Sequence, residues 1–170
     1  STFKVDELLI ASMVNSLQNG FYTLAALLCS PIVTFSQNLS NVLFKRFSNS
    51  SKIPLSTFLI VGGSSLIYLI ALYLLGDVLV AWLFGTEYST VSSYLLPLGL
   101  AFFFKSMYQP FMFLASKGQG KTIRNIAFTE AAINLGGNLT LIPIFGVYGA
   151  IYTSMVAKGV HLILKLLAYQ

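Results

Sequence analysis

The chain contains 170 residues, of which 56% are hydrophobic and only 9% are charged. Soluble domains carry about 25% charged residues, so this chain has too few charges to cover a water-facing surface. High hydrophobicity with low charge also excludes a disordered chain, and the single cysteine, Cys29, excludes a disulfide framework and a cysteine-based zinc site. The composition therefore predicts a protein that resides in the lipid bilayer.

The charge balance is basic, with ten Lys and Arg against five Asp and Glu and a net charge of +5. The basic residues fall between apolar runs, and they do not alternate with aromatic residues on any plausible soluble face. We therefore interpret them as charges that flank membrane spans, and we predict no nucleic-acid partner.

Five apolar runs are long enough to cross the hydrocarbon as a helix, which takes about 20 residues. They cover residues 21–44, 54–84, 91–115, 123–142 and 147–167. Residues 5–17 look like the end of a sixth helix, and a chain that starts with Ser1 is expected to be a fragment of a longer protein. Strands of a β-barrel would need alternating runs of about ten residues, so we predict an all-α, polytopic transmembrane helical bundle with five full spans plus a partial N-terminal span.

The connections between these runs alternate in basic content. Segments 45–52 and 116–124 hold three Lys or Arg each, Lys165 lies near the C-terminus, and Pro143 is expected to end the fourth run. The other three connections hold no Lys or Arg: 18–20, 85–90 and 143–146. The positive-inside rule then places the basic segments and the C-terminus in the cytoplasm. Because every connection is short, no catalytic domain is expected outside the membrane.

Polar residues recur at helical spacing within four of the runs, so each of these helices is predicted to carry one polar edge. These stripes are Ser30, Thr34, Gln37, Asn38, Asn41 and Lys45; Lys105, Gln109 and Ser116; Glu130, Asn134, Gly137 and Asn138; and Ser154, Lys158, His161 and Lys165. Two interpretations stay open: a bundle around a wet cavity or groove, and hydrogen bonding between packed helices.

Lys105 and Lys158 lie near the middle of their runs, and Glu130 lies within the fourth run. A lysine at the bilayer centre costs about 2.5–3.5 kcal/mol, so both must face protein, water or an anionic ligand. A structural ion pair with Glu130 and an anion-binding cavity are both compatible with this pattern. His161 is expected at a cavity edge or in packing, in preference to a proton relay.

The segment Gly120-Lys121-Thr122 looks like the end of a phosphate-binding P-loop. The pattern needs glycine at position 115, where this chain has Ala115, and no strand precedes it. We therefore predict a cytoplasmic turn there, and neither a cofactor nor a metal.

The order of motifs from residue 95 onward is similar to that of a known family. A G-x-G-K turn precedes AAINLGGNLTLIPIFGVYGAIYTS, which is close to the pattern Asn-x-x-x-Asn followed by Ile-Pro-x-x-Gly-x-x-Gly-Ala. Upstream stand NGFYTLAALL, similar to a Gly-x-Tyr-x-x-Ala helix, and the turn LFGTEY. Over most of its length the chain resembles the Wzx-type polysaccharide and O-antigen flippases, in the superfamily that also contains the MATE exporters.

The resemblance implies that residues 1–170 form the C-terminal transmembrane lobe of a two-lobe transporter whose N-terminal lobe is missing. Its activity would be the flipping of an undecaprenyl-pyrophosphate-linked oligosaccharide across the bacterial cytoplasmic (inner) membrane, for assembly of lipopolysaccharide or other surface polysaccharide. The implied partners are this lipid-linked substrate, membrane lipid and other polysaccharide-assembly membrane proteins. No enzymatic reaction is implied.

On this model Lys105 and Lys158 meet the pyrophosphate. The expected sugar contacts are Gln37, Gln109, Asn134 and Asn138. Glu130 and His161 balance the charge or bind a coupling ion. Two alternatives remain: a drug or cation antiporter of the same superfamily, which would prefer acidic cavity residues, and a membrane-embedded glycan polymerase or glycosyltransferase, which would need a large external loop or paired acidic metal ligands.

Overall fold

The computed structural model describes residues 2–170, with side chains from Asp6 onward. This part of the chain forms α-helices, short 3₁₀ turns and brief connections, and it contains no strand. The helices are α1 (Thr2–Met13), α2 (Ser16–Asn49), α3 (Leu55–Phe84), α4 (Ser89–Met107), α5 (Met112–Ser116), α6 (Gly120–Phe145) and α7 (Val147–Tyr169).

Three of the described helices, α2, α3 and α7, are long and apolar enough to cross a membrane. The all-α class is therefore confirmed, and these helices match the predicted runs 21–44, 54–84 and 147–167. Within the described residues, α4 and α6 do not reach the same combination of length and hydropathy. The count of five full spans plus a partial one stays a prediction.

The first connection lies earlier in the chain than the sequence indicated. The predicted loop at 18–20 is wrong, because those residues form the first turns of α2, and the chain breaks at Val14 and Asn15 instead. The side chain of Asn15 accepts a hydrogen bond of 2.7 Å from the backbone N–H of Gln18. This is the interaction of a helix N-cap, so Asn15 sets the start of α2.

The predicted run 91–115 is not one continuous helix. α4 ends at Met107, and a 3₁₀ turn at Gln109–Phe111 separates it from α5. Pro110 explains the break, because its ring removes a backbone donor and clashes with the preceding helical turn. The apolar composition continues through the break, so hydropathy alone did not reveal it.

The turn between α6 and α7 depends on two glycines. Pro143 was expected to end the fourth run, but α6 continues through it to Phe145 and ends at Gly146, whose φ of +59° favours glycine. At Gly149 an added Cβ would clash with the backbone oxygen of Leu141. Gly146 therefore permits the sharp turn, and Gly149 lets α7 start directly against the backbone of α6.

The buried apolar side chains form two separate clusters. The larger one includes Tyr22, Cys29, Leu98 and Ile151 and draws on six helices. Within it the Cys29 thiol lies 3.6 Å from the carbonyl oxygen of Leu95 and is fully buried. The smaller cluster surrounds α5 and the last turns of α2 and α7.

Buried polar residues lie between these two clusters along each of the five long helices. We call this set the polar layer; it comprises Ser36, Ser40, Ser65, Ser106, Glu130, Asn134, Ser154, Lys158 and His161. The hydroxyl groups of Ser65 and Ser106 join α3 to α4 across 2.8 Å. Buried hydroxyl, amide and charged groups therefore accompany the apolar side chains inside the bundle.

Replacing Gly149 by Ala should destabilise the protein by about 1–3 kcal/mol, because the added methyl group meets the α6 backbone, which cannot move aside as a side chain could. Gly136→Ala is the matched control, since a Cβ at that position has nothing within 4 Å. Its expected effect is neutral or slightly stabilising, because alanine favours helix over glycine by about 1 kcal/mol. Thermal unfolding of the two purified variants in detergent measures these changes in stability. Equal melting temperatures for the two variants would contradict the close approach of Gly149 to the α6 backbone.

Candidate functional site: the polar layer and an adjoining groove

The polar stripes of α6 and α7 face each other inside the bundle. The members of both stripes that are buried are Glu130, Asn134, Asn138, Ser154, Lys158, His161 and Lys165. Residues four apart on a helix lie on one face, so the sequence spacing accounts for this arrangement. Lys158 is the most enclosed charge among them, with 1% of its surface exposed.

Asp6 on α1 is the centre of a hydrogen-bond network that the sequence did not predict. Its carboxylate accepts hydrogen bonds from Asn138 Nδ2 at 2.6 Å, Ser154 Oγ at 3.0 Å and Tyr22 Oη at 3.2 Å. Lys158 adds an electrostatic attraction to the same carboxylate. Through Asp6 the short helix α1 is tied to α2, α6 and α7 at once.

Asn134 extends this network along α6. Its side-chain oxygen accepts a hydrogen bond of 3.2 Å from Asn138, and its amide lies 3.4 Å from the Ser154 hydroxyl. The Asn-x-x-x-Asn spacing places both amides one turn apart on the same face. The two asparagines therefore bond to each other and to α1 and α7 in this conformation.

A second group of contacts forms around His161, closer to α5. His161 Nδ1 lies 2.5 Å from Glu130 Oε2, so α7 and α6 are joined by an imidazole–carboxylate pair. The imidazole also stacks on the Tyr108 ring at a centroid distance of 4.1 Å, and the Lys165 ammonium lies 5.0 Å from the centre of that ring. Because Tyr108 follows the last residue of α4, this group connects α4, α6 and α7.

Lysine ammonium groups gather around the two buried carboxylates in the described part of this region. Glu130 attracts Lys105, Lys158 and Lys165, and Asp6 also attracts Lys158. Among the residues whose side chains the structure describes, three ammonium groups thus lie near two carboxylates. Lys105 and Lys158 also repel each other. Several ammonium groups held in one region create a positive potential, which attracts anions.

An open groove of about 290 Å³ runs between α2 and α4, beside the polar layer. Ser30, Thr34, Gln37 and Lys105 contribute polar groups to its lining, and Phe102 contributes an aromatic ring. Lys105 is partly exposed, unlike Lys158. Through Lys105, the groove therefore connects the protein surface with the charged residues around Glu130.

The eight residues predicted from the sequence fall into two groups in the structure. The buried group comprises Asn134, Asn138, Glu130, Lys158 and His161. The surface group comprises Lys105 and Gln37, which line the groove, and the half-buried Gln109, whose Nε2 donates a 3.2 Å hydrogen bond to the Lys105 carbonyl. Glu130 links the groups electrostatically, because it acts on both Lys105 and Lys158.

Sequence reasoning missed Asp6 and Tyr22 as members of the site. The available signal was the position of Asp6, an acidic residue inside an apolar run. Once such a carboxylate is buried, it needs hydrogen-bond donors from other helices.

Comparison with models of protein families, with curated proteins and with solved structures finds no match to this chain. Among the described residues, no group of three or more His, Cys, Asp or Glu is arranged to hold a metal ion. The site is therefore interpreted from its own chemistry, which combines lysine ammonium groups, buried amides and an open polar groove.

Replacing Asp6 by Ala should destabilise the protein by about 3–5 kcal/mol, because three donors and the Lys158 ammonium lose a buried carboxylate. Asp6→Asn keeps the shape but removes the charge, so it should retain part of the hydrogen bonding and lose less. Glu7→Ala is the control: it removes the same charge one residue along, where a change of about 1 kcal/mol or less is expected. Thermal unfolding in detergent compares the three, and an Asp6→Ala variant as stable as Glu7→Ala would contradict the central role of Asp6.

Proposed function

We propose that this chain is the C-terminal lobe of a flippase that moves an anionic, lipid-linked oligosaccharide across the bacterial inner membrane. The substrate class is a polyprenyl pyrophosphate that carries a sugar headgroup, as the sequence resemblance implies. The observation that carries the proposal is the position of Lys105 at the wall of an open, polar groove, with the buried Lys158 nearby in the same electrostatic network.

The lysine at the groove supports an anionic passenger over a neutral one. Lys158 is buried within an apolar helix, and Lys105 lies in the last turn of another, at the wall of the groove. A pyrophosphate passing through the groove would come within reach of the Lys105 ammonium. Phosphate oxygens accept strong, charge-assisted hydrogen bonds from ammonium groups, which gives the site a reason to favour this ligand.

The exposed face of α2 supports a second lobe. Thr34, Gln37, Asn38 and Asn41 are exposed on a helix that is apolar enough to cross a membrane. Amide side chains against lipid tails would lack hydrogen-bond partners, which is unfavourable. This face is better suited to a water-filled space between two lobes, where Gln37 and Gln109 could bind sugar hydroxyls.

The buried network has a different role in this mechanism. Asn134 and Asn138 are enclosed and hydrogen-bonded to Ser154, Asp6 and each other, and Lys158 attracts Asp6 electrostatically, so these residues hold α1, α6 and α7 as one body. Glu130 and His161 join this body to the end of α4, which carries Lys105. Alternating access would then arise when the whole lobe rocks against its partner, with Lys105 exposed first to one side and then to the other.

The membrane topology is part of the same proposal. Five full spans and a partial one, with the C-terminus in the cytoplasm, place the basic connections on the side where the lipid-linked precursor is made. Membrane lipid and other polysaccharide-assembly proteins would be the surrounding partners.

A cation or drug antiporter is the second candidate, and Asp6 is the observation that favours it. A buried carboxylate surrounded by amide and hydroxyl groups resembles the oxygen-rich surroundings that cations prefer. Lys158 acts against this candidate, because its ammonium already supplies a positive charge to Asp6.

The flippase proposal predicts that Lys105→Met abolishes most surface glycan in cells that express the full-length protein, because the groove loses its cation without losing side-chain length. Lys105→Arg is the matched control and should retain export, since the charge is kept. The measurement is the surface polysaccharide of a strain that depends on this protein, together with the amount of the variant in the membrane. Normal glycan export by Lys105→Met at a normal protein level would remove Lys105 from the mechanism. If the unaltered protein supported drug efflux but no glycan export, the antiporter would be favoured.

A further inference from the structure

One end of the bundle carries six exposed basic residues from separate parts of the chain. We call this set the basic patch; it comprises Lys45, Arg46, Lys52, Lys117, Lys121 and Arg124. Segments 45–52 and 116–124 contain no Asp or Glu, so no acidic neighbour in the sequence neutralises them. The patch is separate from the groove and from the polar layer, and the proposed transport does not use it.

The backbone beneath the basic patch is held together by specific contacts. The Lys117 ammonium donates a 2.9 Å hydrogen bond to the carbonyl oxygen of Ser48, which joins the end of α2 to the end of α5. Phe47 and Phe113 pack edge to face at a centroid distance of 6.1 Å directly below. The basic side chains therefore extend from one braced surface and not from independent loops.

The start of α3 and the end of α7 belong to the same braced surface. The Ile53 N–H donates a 2.9 Å hydrogen bond to the Tyr169 hydroxyl, whose ring packs against Phe111 and Phe113. Like charges held close together repel each other, so a fixed group of cations favours a ligand that brings several negative charges.

Large apolar side chains are exposed next to the basic patch. Val42 and Leu55 are 79% and 71% exposed, and Phe128 is 67% exposed. A soluble acidic protein would offer the charges but would leave these side chains in water. The boundary of a bilayer offers both hydrocarbon for the apolar side chains and phosphate groups for the cations.

We propose that the basic patch binds the phosphate headgroups of anionic phospholipids. These lipids then anchor one end of the bundle at the membrane surface and stabilise the α2–α5–α6 junction. Lys and Arg near an anionic membrane surface each add to this attraction, and the attraction is weakened by salt.

The test uses the purified full chain in detergent micelles supplemented with phosphatidylglycerol or, separately, with phosphatidylcholine. Lipid retention by native mass spectrometry and the melting temperature are the two readouts. We expect phosphatidylglycerol to be retained at least about tenfold more strongly than phosphatidylcholine, and this preference should fall at high salt. Equal retention of the two lipids by the unaltered protein would overturn the proposal.

The patch variant is Lys45→Gln, Arg46→Gln, Lys121→Gln and Arg124→Gln combined, with Lys117 kept because it holds the Ser48 carbonyl. It should lose the preference for phosphatidylglycerol while melting as the unaltered protein does in phosphatidylcholine. The charge-conserving swap of the same four positions, Lys to Arg and Arg to Lys, should keep the preference. If the neutralised variant does not fold, the salt dependence of lipid retention by the unaltered protein decides the question.

A second control separates a local site from net charge. Asp77→Asn with Glu87→Gln raises the net charge by two without altering the basic patch, and it should leave the lipid preference unchanged. A patch variant that still prefers phosphatidylglycerol would overturn the proposal. The proposal would also be overturned if phosphatidylglycerol retention rose in the control variant by as much as it fell in the patch variant. Net charge would then explain the preference.

Discussion

Charge burial in a bundle with two apolar clusters is the constraint on which the structure depends. Asp6, Glu130 and Lys158 are all removed from water, and each would be costly there without a partner. The chain meets this constraint with hydrogen bonds and opposite charges: Asp6 accepts three hydrogen bonds, and Glu130 lies beside His161. Four helices contribute to the bonds around Asp6, so the same contacts that make the charges tolerable also fix how the helices pack.

The backbone arrangement positions the side chains of the polar layer. Gly146 and Gly149 let α6 and α7 run side by side from their shared turn, which aligns the two polar stripes over their length. Pro110 lies in the 3₁₀ turn that follows α4. Tyr108 lies at this break, and its ring stacks on His161. Local sequence features that interrupt or permit helix packing thus determine which polar groups meet.

Much of the fold could be predicted because apolar run length specifies helices in lipid and helical spacing specifies faces. The stripes of α6 and α7 were identified in this way, down to Glu130, Asn134 and Lys158. The break after α4 and the passage of α6 through Pro143 could not be predicted from hydropathy, which does not register backbone donors or ring clashes. The Asp6 network was missed for another reason: its partners lie 16 to 148 residues away in the chain, and no local pattern encodes such contacts.

The enclosure of Cys29 has a practical consequence for measuring motion in this protein. It is the only thiol in the chain, and it is fully buried against the carbonyl of Leu95. Alkylating spin labels or fluorophores applied to the folded protein would therefore leave the native thiol largely unmodified. A pair of engineered cysteines on either wall of the groove would report distances between α2 and α4 without first replacing the native residue.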